Sequence, residues 1–440
     1  MENEENKQTG EEQKAENKNP IYYIIEHMPE LDLWGRVRVL FRWLFLGGIT
    51  GVVVGCIGAA FSKAILFATQ FRTDHDLIIL GLPVAGLVIV AMYRACKDYE
   101  DKGTNLVIKS IQEGENLPIT KAPLIFISTT ITHLFGGSTG RESAALQMGG
   151  SIGFNLGKLF RLKEGNEKII TMCGMSAAFS ALFGTPMTAS FMAMEIENVG
   201  VMYYSALVPC VVSALVAKGI SSSLGAVGEQ FVVNVIPVFN PYNAVFTGVL
   251  AILCAILSVI FCDVLKFSGK TYKKLLPNPY IRVFVGGCIV VALTYMSGTR
   301  YYNGAGMNVI EMALRGEAPY YAFLLKIIFT ALTLGAGYKG GEIVPALYIG
   351  ATFGCLYSQL LGFEPALCAA IGMGALFCGV TNCPISSLFI CFELFGFKGM
   401  PYYLLAIALS YTFSGYSSLY SSQKIMYSKF HNKYINRETK

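Results

Sequence analysis

Gly174-Met175-Ser176-Ala177-Ala178-Phe179, followed by Pro186, Phe191 and Glu195, returns later in the chain. It reappears as Gly372-Met373-Gly374-Ala375-Leu376-Phe377, followed by Pro384, Phe389 and Glu393. The matched residues lie 198 positions apart (Gly174 to Gly372, Pro186 to Pro384, Glu195 to Glu393). A second pair supports the first. Gly140-Arg141-Glu142, then Ala145-Leu146, Met148-Gly149 and Gly153, is echoed by Gly340-Gly341-Glu342, then Ala346-Leu347, Ile349-Gly350 and Gly354, with a slip of one residue between the halves of the match. Proline, phenylalanine and glutamate holding one register is more than chance similarity between Gly/Ala-rich helices produces. In an apolar chain, an internal repeat marks a transporter whose site lies where two halves meet.

The composition agrees. Of 440 residues, 53% are apolar and only 14% charged, which excludes an ordinary soluble domain. Stretches 230–262, 343–363, 365–392 and 399–423 contain no Asp, Glu, Lys or Arg, and about 20 apolar residues cross a bilayer core. Other uncharged stretches, 143–157, 283–299 and 327–338, are short for a crossing, and Gly and Pro interrupt the runs repeatedly. The pattern predicts an all-α membrane protein of tilted and discontinuous helices, with repeat halves at approximately 43–220 and 240–420. Irregular backbone persists at membrane depth only where protein or a polar cavity covers it.

Outside the membrane domain at 31–425, residues 1–30 read as a disordered cytoplasmic tail, since the first 20 carry six Glu and three Lys, with no cleavable signal peptide evident. Residues 426–440 read as a basic cytoplasmic tail. Arg36, Arg38 and Arg42, the five Lys/Arg of 263–282 and those of 424–440 place both termini and a 263–282 loop in the cytoplasm, with the protein multi-pass in the inner membrane. The same rule accounts for the net charge of +5, so no nucleic-acid partner is implied. The 12 cysteines are scattered singly and the four histidines show no ligand spacing, so no metal, cofactor or disulfide framework is expected.

Candidate chemistry sits at two glycine-rich turns. In Gly136-Gly137-Ser138-Thr139-Gly140-Arg141-Glu142 the glycines leave backbone N–H groups exposed at a helix start, where the dipole favours an anion. Glu142 falls at that end. Its carboxylate can occupy a mobile anion's place, and must move or be protonated to yield it, which makes it a gate and a proton carrier. In Gly335-Ala336-Gly337-Tyr338-Lys339-Gly340-Gly341-Glu342-Ile343-Val344-Pro345 the form recurs, with Glu342 at the helix start and Pro345 in its first turn. Two half-helices aimed at the midplane from opposite sides would enclose one anion site. Tyr420 offers a hydroxyl donor near the end of the last apolar run. Gly136-Gly137-Ser138-Thr139-Gly140 also fits the G-x-S-x-G elbow of serine hydrolases, but only His431 follows it, so a membrane-embedded hydrolase using Ser138 is the remote alternative.

From about residue 35 to 425 the chain resembles the CLC family of chloride channels and anion/proton antiporters. Gly140-Arg141-Glu142 with Gln147-Met148-Gly149-Gly150 is similar to the family's G-R-E-G-P…Q-x-G-G segment, with Glu142 as the gating glutamate. Gly341-Glu342-Ile343-Val344-Pro345 lies where the family has G-x-F-x-P, whose backbone N–H groups hold the anion. Tyr420 falls on the anion-coordinating tyrosine. Gly103-Thr104-Asn105-Leu106-Val107 occupies the place of G-S-G-I-P, with Thr104 for the coordinating serine. The resemblance implies a homodimer of inverted halves, with a complete pathway in each subunit, and an anion-binding set of Thr104, Asn105, Gly140, Arg141, Glu342, Ile343, Val344 and Tyr420.

Three departures narrow it. Ile196 stands where chloride/proton antiporters carry an inner proton-handling glutamate, the serine of the first motif is changed, and Glu342 replaces an apolar residue. These traits resemble the fluoride-exporting branch, through Gly-Gly-Glu-x-x-Pro, although Val344 stands where that branch has a threonine and Ser143-Ala144 departs from its usual residues. The expectation is fluoride export in exchange for protons. The alternatives on the same fold are a chloride/proton antiporter and a passive chloride channel.

Overall fold

The computed structural model describes residues 33–98, 102–163, 165–226, 228–233 and 235–439. The acidic stretch 1–30 lies outside the described residues. Two compact units divide the chain at Leu46 and Gly47. Of the first unit the described part, from Leu33, is the start of the first helix; the second holds the rest of that helix and all later elements.

Among the described residues sixteen α-helices run in chain order: α1 Leu33–Asp74, α2 Leu82–Ala95, α3 Thr104–Glu113, α4 Lys121–Leu134, α5 Glu142–Leu159, α6 Asn166–Phe183, α7 Pro186–Glu195, α8 Leu207–Ser223, α9 Pro241–Leu275, α10 Pro279–Ser297, α11 Met307–Leu314, α12 Ala322–Ala336, α13 Ile343–Leu361, α14 Pro365–Thr381, α15 Pro384–Phe395 and α16 Met400–Phe413. The helices α1, α9, α10 and α13, the 3-10 turn with α2, and that before α8 with α8 are long and apolar enough to cross a membrane. Others are not. The 10 residues of α7 and 12 of α15 reach only about 15–18 Å, roughly half of a 30 Å hydrocarbon core.

The repeat is written into the packing. In the first half α5 packs along α6, and in the second α13 packs along α14. At each crossing the repeated glycines let backbones touch. A Cβ on Gly149 would meet the Gly174 carbonyl oxygen and one on Gly153 that of Ile170; one on Gly350 would meet that of Gly372 and one on Gly354 that of Cys368. Both long apolar runs then break at equivalent points. Gly184 (φ +72°) ends α6 and Asn382 (φ +56°) ends α14, and each break is followed by a proline in the first turn of the next helix. Glycine and asparagine are the residues that enter the left-handed region at least cost, so unlike letters serve one backbone need.

Glu195 and Glu393, the last repeated residues, close the two halves on each other. The Glu195 carboxylate accepts from the N–H groups of Ile385 (3.1 Å) and Ser386 (3.0 Å) and from the Ser386 hydroxyl (2.6 Å), at the N-terminus of α15. Glu393 accepts from the N–H groups of Met187 and Thr188 (both 2.9 Å) and the Thr188 hydroxyl (2.7 Å), at the N-terminus of α7. Phe191 and Phe389 meet between them with centroids 4.7 Å apart. Each carboxylate thus caps the helix of the other repeat, where both the orphan N–H groups and the dipole favour a negative charge. Replacing either by alanine strands three donors. Glu195→Ala and Glu393→Ala should each lower the unfolding free energy by about 2–4 kcal/mol, read as a fall in Tm in detergent, while a surface change such as Lys398→Ala leaves it in place.

Two segments depart from the sequence reading. The stretch 263–282 is largely helix rather than loop, because α9 continues to Leu275 and carries Lys266, Lys270, Lys273 and Lys274 on its end. The stretch 426–440 contributes to a small sheet. Strand β2 (Lys424–Tyr427) pairs parallel with β1 (Asn198–Val199) and antiparallel with β3 (Tyr434–Glu438). The sheet follows from alternation too short to register in a basic segment, and it needs a partner strand more than 220 residues away.

Candidate functional site

The two glycine-rich turns meet. Gly140 N–H donates to the Gly341 carbonyl (2.6 Å) and Gly341 N–H to that of Gly140 (2.7 Å), an isolated antiparallel bridge between the starts of α5 and α13. Nothing larger than hydrogen fits. A Cβ on Gly140 would lie 2.5 Å from Glu142 Oε2 and 3.1 Å from both Val344 Cβ and Pro345 Cδ. One on Gly341 would lie 2.9 Å from the backbone nitrogen of Ser143 and 3.1 Å from that of Glu142. Since backbone cannot swing aside, Gly341→Ala should open the bridge and cost about 1–3 kcal/mol, visible as a lower Tm together with loss of ion flux.

Glu142 is the first residue of α5 and 1% exposed. Its carboxylate folds back over the turn, where Oε2 accepts from the Arg141 N–H at 2.9 Å. The Arg141 guanidinium is 3.6 Å from Oε1 and hydrogen-bonds Glu229 at 2.9 Å. Arg141, read from sequence among the anion-binding residues, therefore has its side chain turned to two carboxylates. Glu229 escaped notice because it sits in an irregular stretch with no motif around it. The position of the carboxylate at the helix start is the one an anion would take.

Beside the bridged turns lies a cavity of about 290 Å³, whose lining includes Thr104, Asn105, Glu342 and Tyr420, together with Gln147, Lys102, Lys266 and Lys339. Lys102 pairs with Glu115 at 2.6 Å, and Lys339 stands 4.3 Å over the Tyr93 ring. Lysines around a low-dielectric mouth raise the local concentration of anions. Glu342 occupies the N-cap of α13, and the N–H groups of Ile343 and Val344 open that helix. The Thr104 hydroxyl accepts from Gln147 Nε2 at 3.2 Å, linking the start of α3 to α5. Asn105, which also lines the cavity, accepts through its Oδ1 from Ser422 N–H at 3.0 Å and so holds the Tyr420 loop.

That loop follows α16 without being helical. Tyr420 N–H donates to Ser418 Oγ (3.1 Å), and its carbonyl accepts from Thr439 Oγ1 (2.6 Å), so the C-terminal segment pins it. Gln423 adds Nε2 bonds to the carbonyls of Ile196 (3.0 Å) and Thr381 (2.8 Å). Neither Thr439 nor Gln423 carried a sequence signal. Ile196 is fully buried between Glu195, already used as a cap, and Glu197. Ser138, the residue of the hydrolase alternative, is buried with Oγ 3.1 Å from Thr330 Oγ1, while the His133 ring contacts the Thr129 carbonyl one turn back. Among the described residues no His/Cys/Asp/Glu group can hold a metal ion.

Two bridged helix N-termini, one holding the buried Glu142 and the other the partly buried Glu342, set in an apolar multi-span fold, define a membrane ion-transport protein rather than an enzyme. The chain belongs to the CLC family: residues 84–415 match the voltage-gated chloride channel family model. It is 32% identical over 409 residues to a chloride/fluoride channel protein of Pseudomonas syringae pv. tomato, covering 91% of this chain and 90% of that one. Identity to the H(+)/Cl(-) exchange transporter ClcA of Vibrio cholerae is 24%, covering 80% and 82%. The fold is similar to the crystal structure of a CLC-type fluoride/proton antiporter, with a TM-score of 0.84 and 32% identity over 88% of this chain and 98% of that one.

Proposed function

We propose that the protein exports fluoride in exchange for protons across the cytoplasmic membrane, as a homodimer with both termini in the cytoplasm and a pathway in each subunit. The observation that carries this reading is the pair of carboxylates, Glu142 and Glu342, at the starts of two half-helices joined through Gly140 and Gly341. Support also comes from the two relatives at 32% identity, one described as a chloride/fluoride channel protein and the other as a fluoride/proton antiporter.

In this mechanism the ionised Glu142 fills the anion place at the head of α5. Protonation removes the charge that holds it there, the side chain swings out, and an anion takes its place. Return of the carboxylate releases the proton on one side and the anion on the other. Fluoride is small and strongly hydrated, so its site must replace water with strong donors. A protonated Glu342 supplies an O–H, Tyr420 a hydroxyl, and Ile343 and Val344 backbone N–H groups. With Ile196 apolar, protons reach the site through the cavity that Glu342 lines.

The test is efflux from liposomes holding the purified protein, with fluoride and chloride electrodes and external pH followed together. Fluoride efflux matched by proton uptake, with little chloride movement, is expected. Comparable or faster chloride efflux would move the protein to the chloride/proton antiporter reading, and chloride flux without proton movement to a passive channel.

A further inference from the structure

The structure assigns the Ser143 hydroxyl as a further donor to the transported anion, closing around it beside the Tyr420 hydroxyl. The inference deepens the fluoride reading and rests on it. Ser143 is the second residue of α5, and its backbone nitrogen abuts Gly341 across the bridge. The side chain is fully buried, beside both the Glu342 carboxyl group and the Tyr420 hydroxyl. Tyr420 is 1% exposed. Neither Ser143 Oγ nor Tyr420 Oη completes a hydrogen bond of full geometry, and their near neighbours are each other and the Glu342 carboxyl group.

A buried hydroxyl without a partner is costly, and serine and tyrosine usually satisfy theirs with a carbonyl. Serine near a helix start ordinarily has such an outlet in the local backbone. Here two orphan hydroxyls from segments almost 280 residues apart converge on one point, next to the free N–H groups of a helix start. Both are donors able to turn toward a negative charge. Val344, the nearby second residue of α13, has no hydroxyl to contribute, so the donor comes from the α5 side of the bridge. A small, hard anion gains most from two O–H groups at short range, whereas a larger, weakly hydrated one gains less. The pair therefore sets preference as well as affinity.

Ser143→Ala tests this by two readouts. In the liposome assay, fluoride efflux should fall about tenfold and its ratio to chloride efflux should fall with it. In detergent without fluoride, Tm should stay close to that of the parent, because only the loose contacts of Ser143 with Glu342 and Tyr420 are lost; the rise in Tm that fluoride produces in the parent should shrink. Ser143→Thr, which keeps the hydroxyl, should retain the parent's anion ratio. An unchanged ratio in Ser143→Ala would overturn the inference, as would a lowered Tm in the absence of fluoride, which would show a structural role. A parent that moves no fluoride at all would instead overturn the reading beneath it.

Discussion

Glu142→Gln is expected to abolish proton coupling. The amide is nearly the size of the carboxyl group and can still accept from the Arg141 N–H, which holds the native side chain at 2.9 Å. It carries neither charge nor exchangeable proton between states, so the residue no longer competes with the anion as a charged group and no longer ferries a proton. Proton uptake driven by an anion gradient should drop by about two orders of magnitude, toward the leak of protein-free vesicles. Arg141 and Glu229 remain paired at 2.9 Å, so the fold around the turn is kept. Anion-driven proton pumping that persists in this variant would contradict the gating mechanism outright.

The second large effect is expected at Glu342→Gln. Glu342 occupies the N-cap position of α13 without a side-chain capping bond, and it lines the cavity. Protonated, it offers an O–H to fluoride, while ionised it repels any anion, so its protonation ties proton entry to anion choice. Glutamine offers only a neutral N–H donor and no proton. A hydrogen bond to a charged partner contributes about 1.5–3 kcal/mol, which corresponds to roughly a tenfold to hundredfold change in fluoride-to-chloride preference. Parallel fluoride and chloride efflux measurements check it. Fluoride transport and preference left as in the parent would make Glu342 structural only.

Much of the architecture is legible along the chain because its causes are local. Absence of charge over 230–262 or 365–392 follows from the cost of charge in lipid. The breaks at Gly184 and Asn382 follow from which residues accept a positive φ, and the repeated glycines from which backbones touch. Glu142 and Glu342 are visible for the same reason, each being a carboxylate beside a glycine turn between uncharged runs. Other features had no local cause to read. The basic charge of 426–440 suggested a tail, and only the pairing of the adjoining strands with Asn198 and Val199 makes it the segment that pins Tyr420.

The amino-acid sequence by itself determined the membrane class, the internal repeat and the two candidate glutamates, Glu142 as gate and Glu342 in the anion site, since hydrophobicity, glycine geometry and a fixed repeat interval can all be read along the chain. Tertiary structure alone decided which groups those elements meet. Glu195 and Glu393 became reciprocal helix caps, Arg141 was drawn to Glu229, Asn105 was taken up by Ser422, and the Ser143 and Tyr420 hydroxyls were left facing one place without partners. Such contacts join residues tens to hundreds of positions apart. No spacing rule links them, because their geometry is set by how the helices pack.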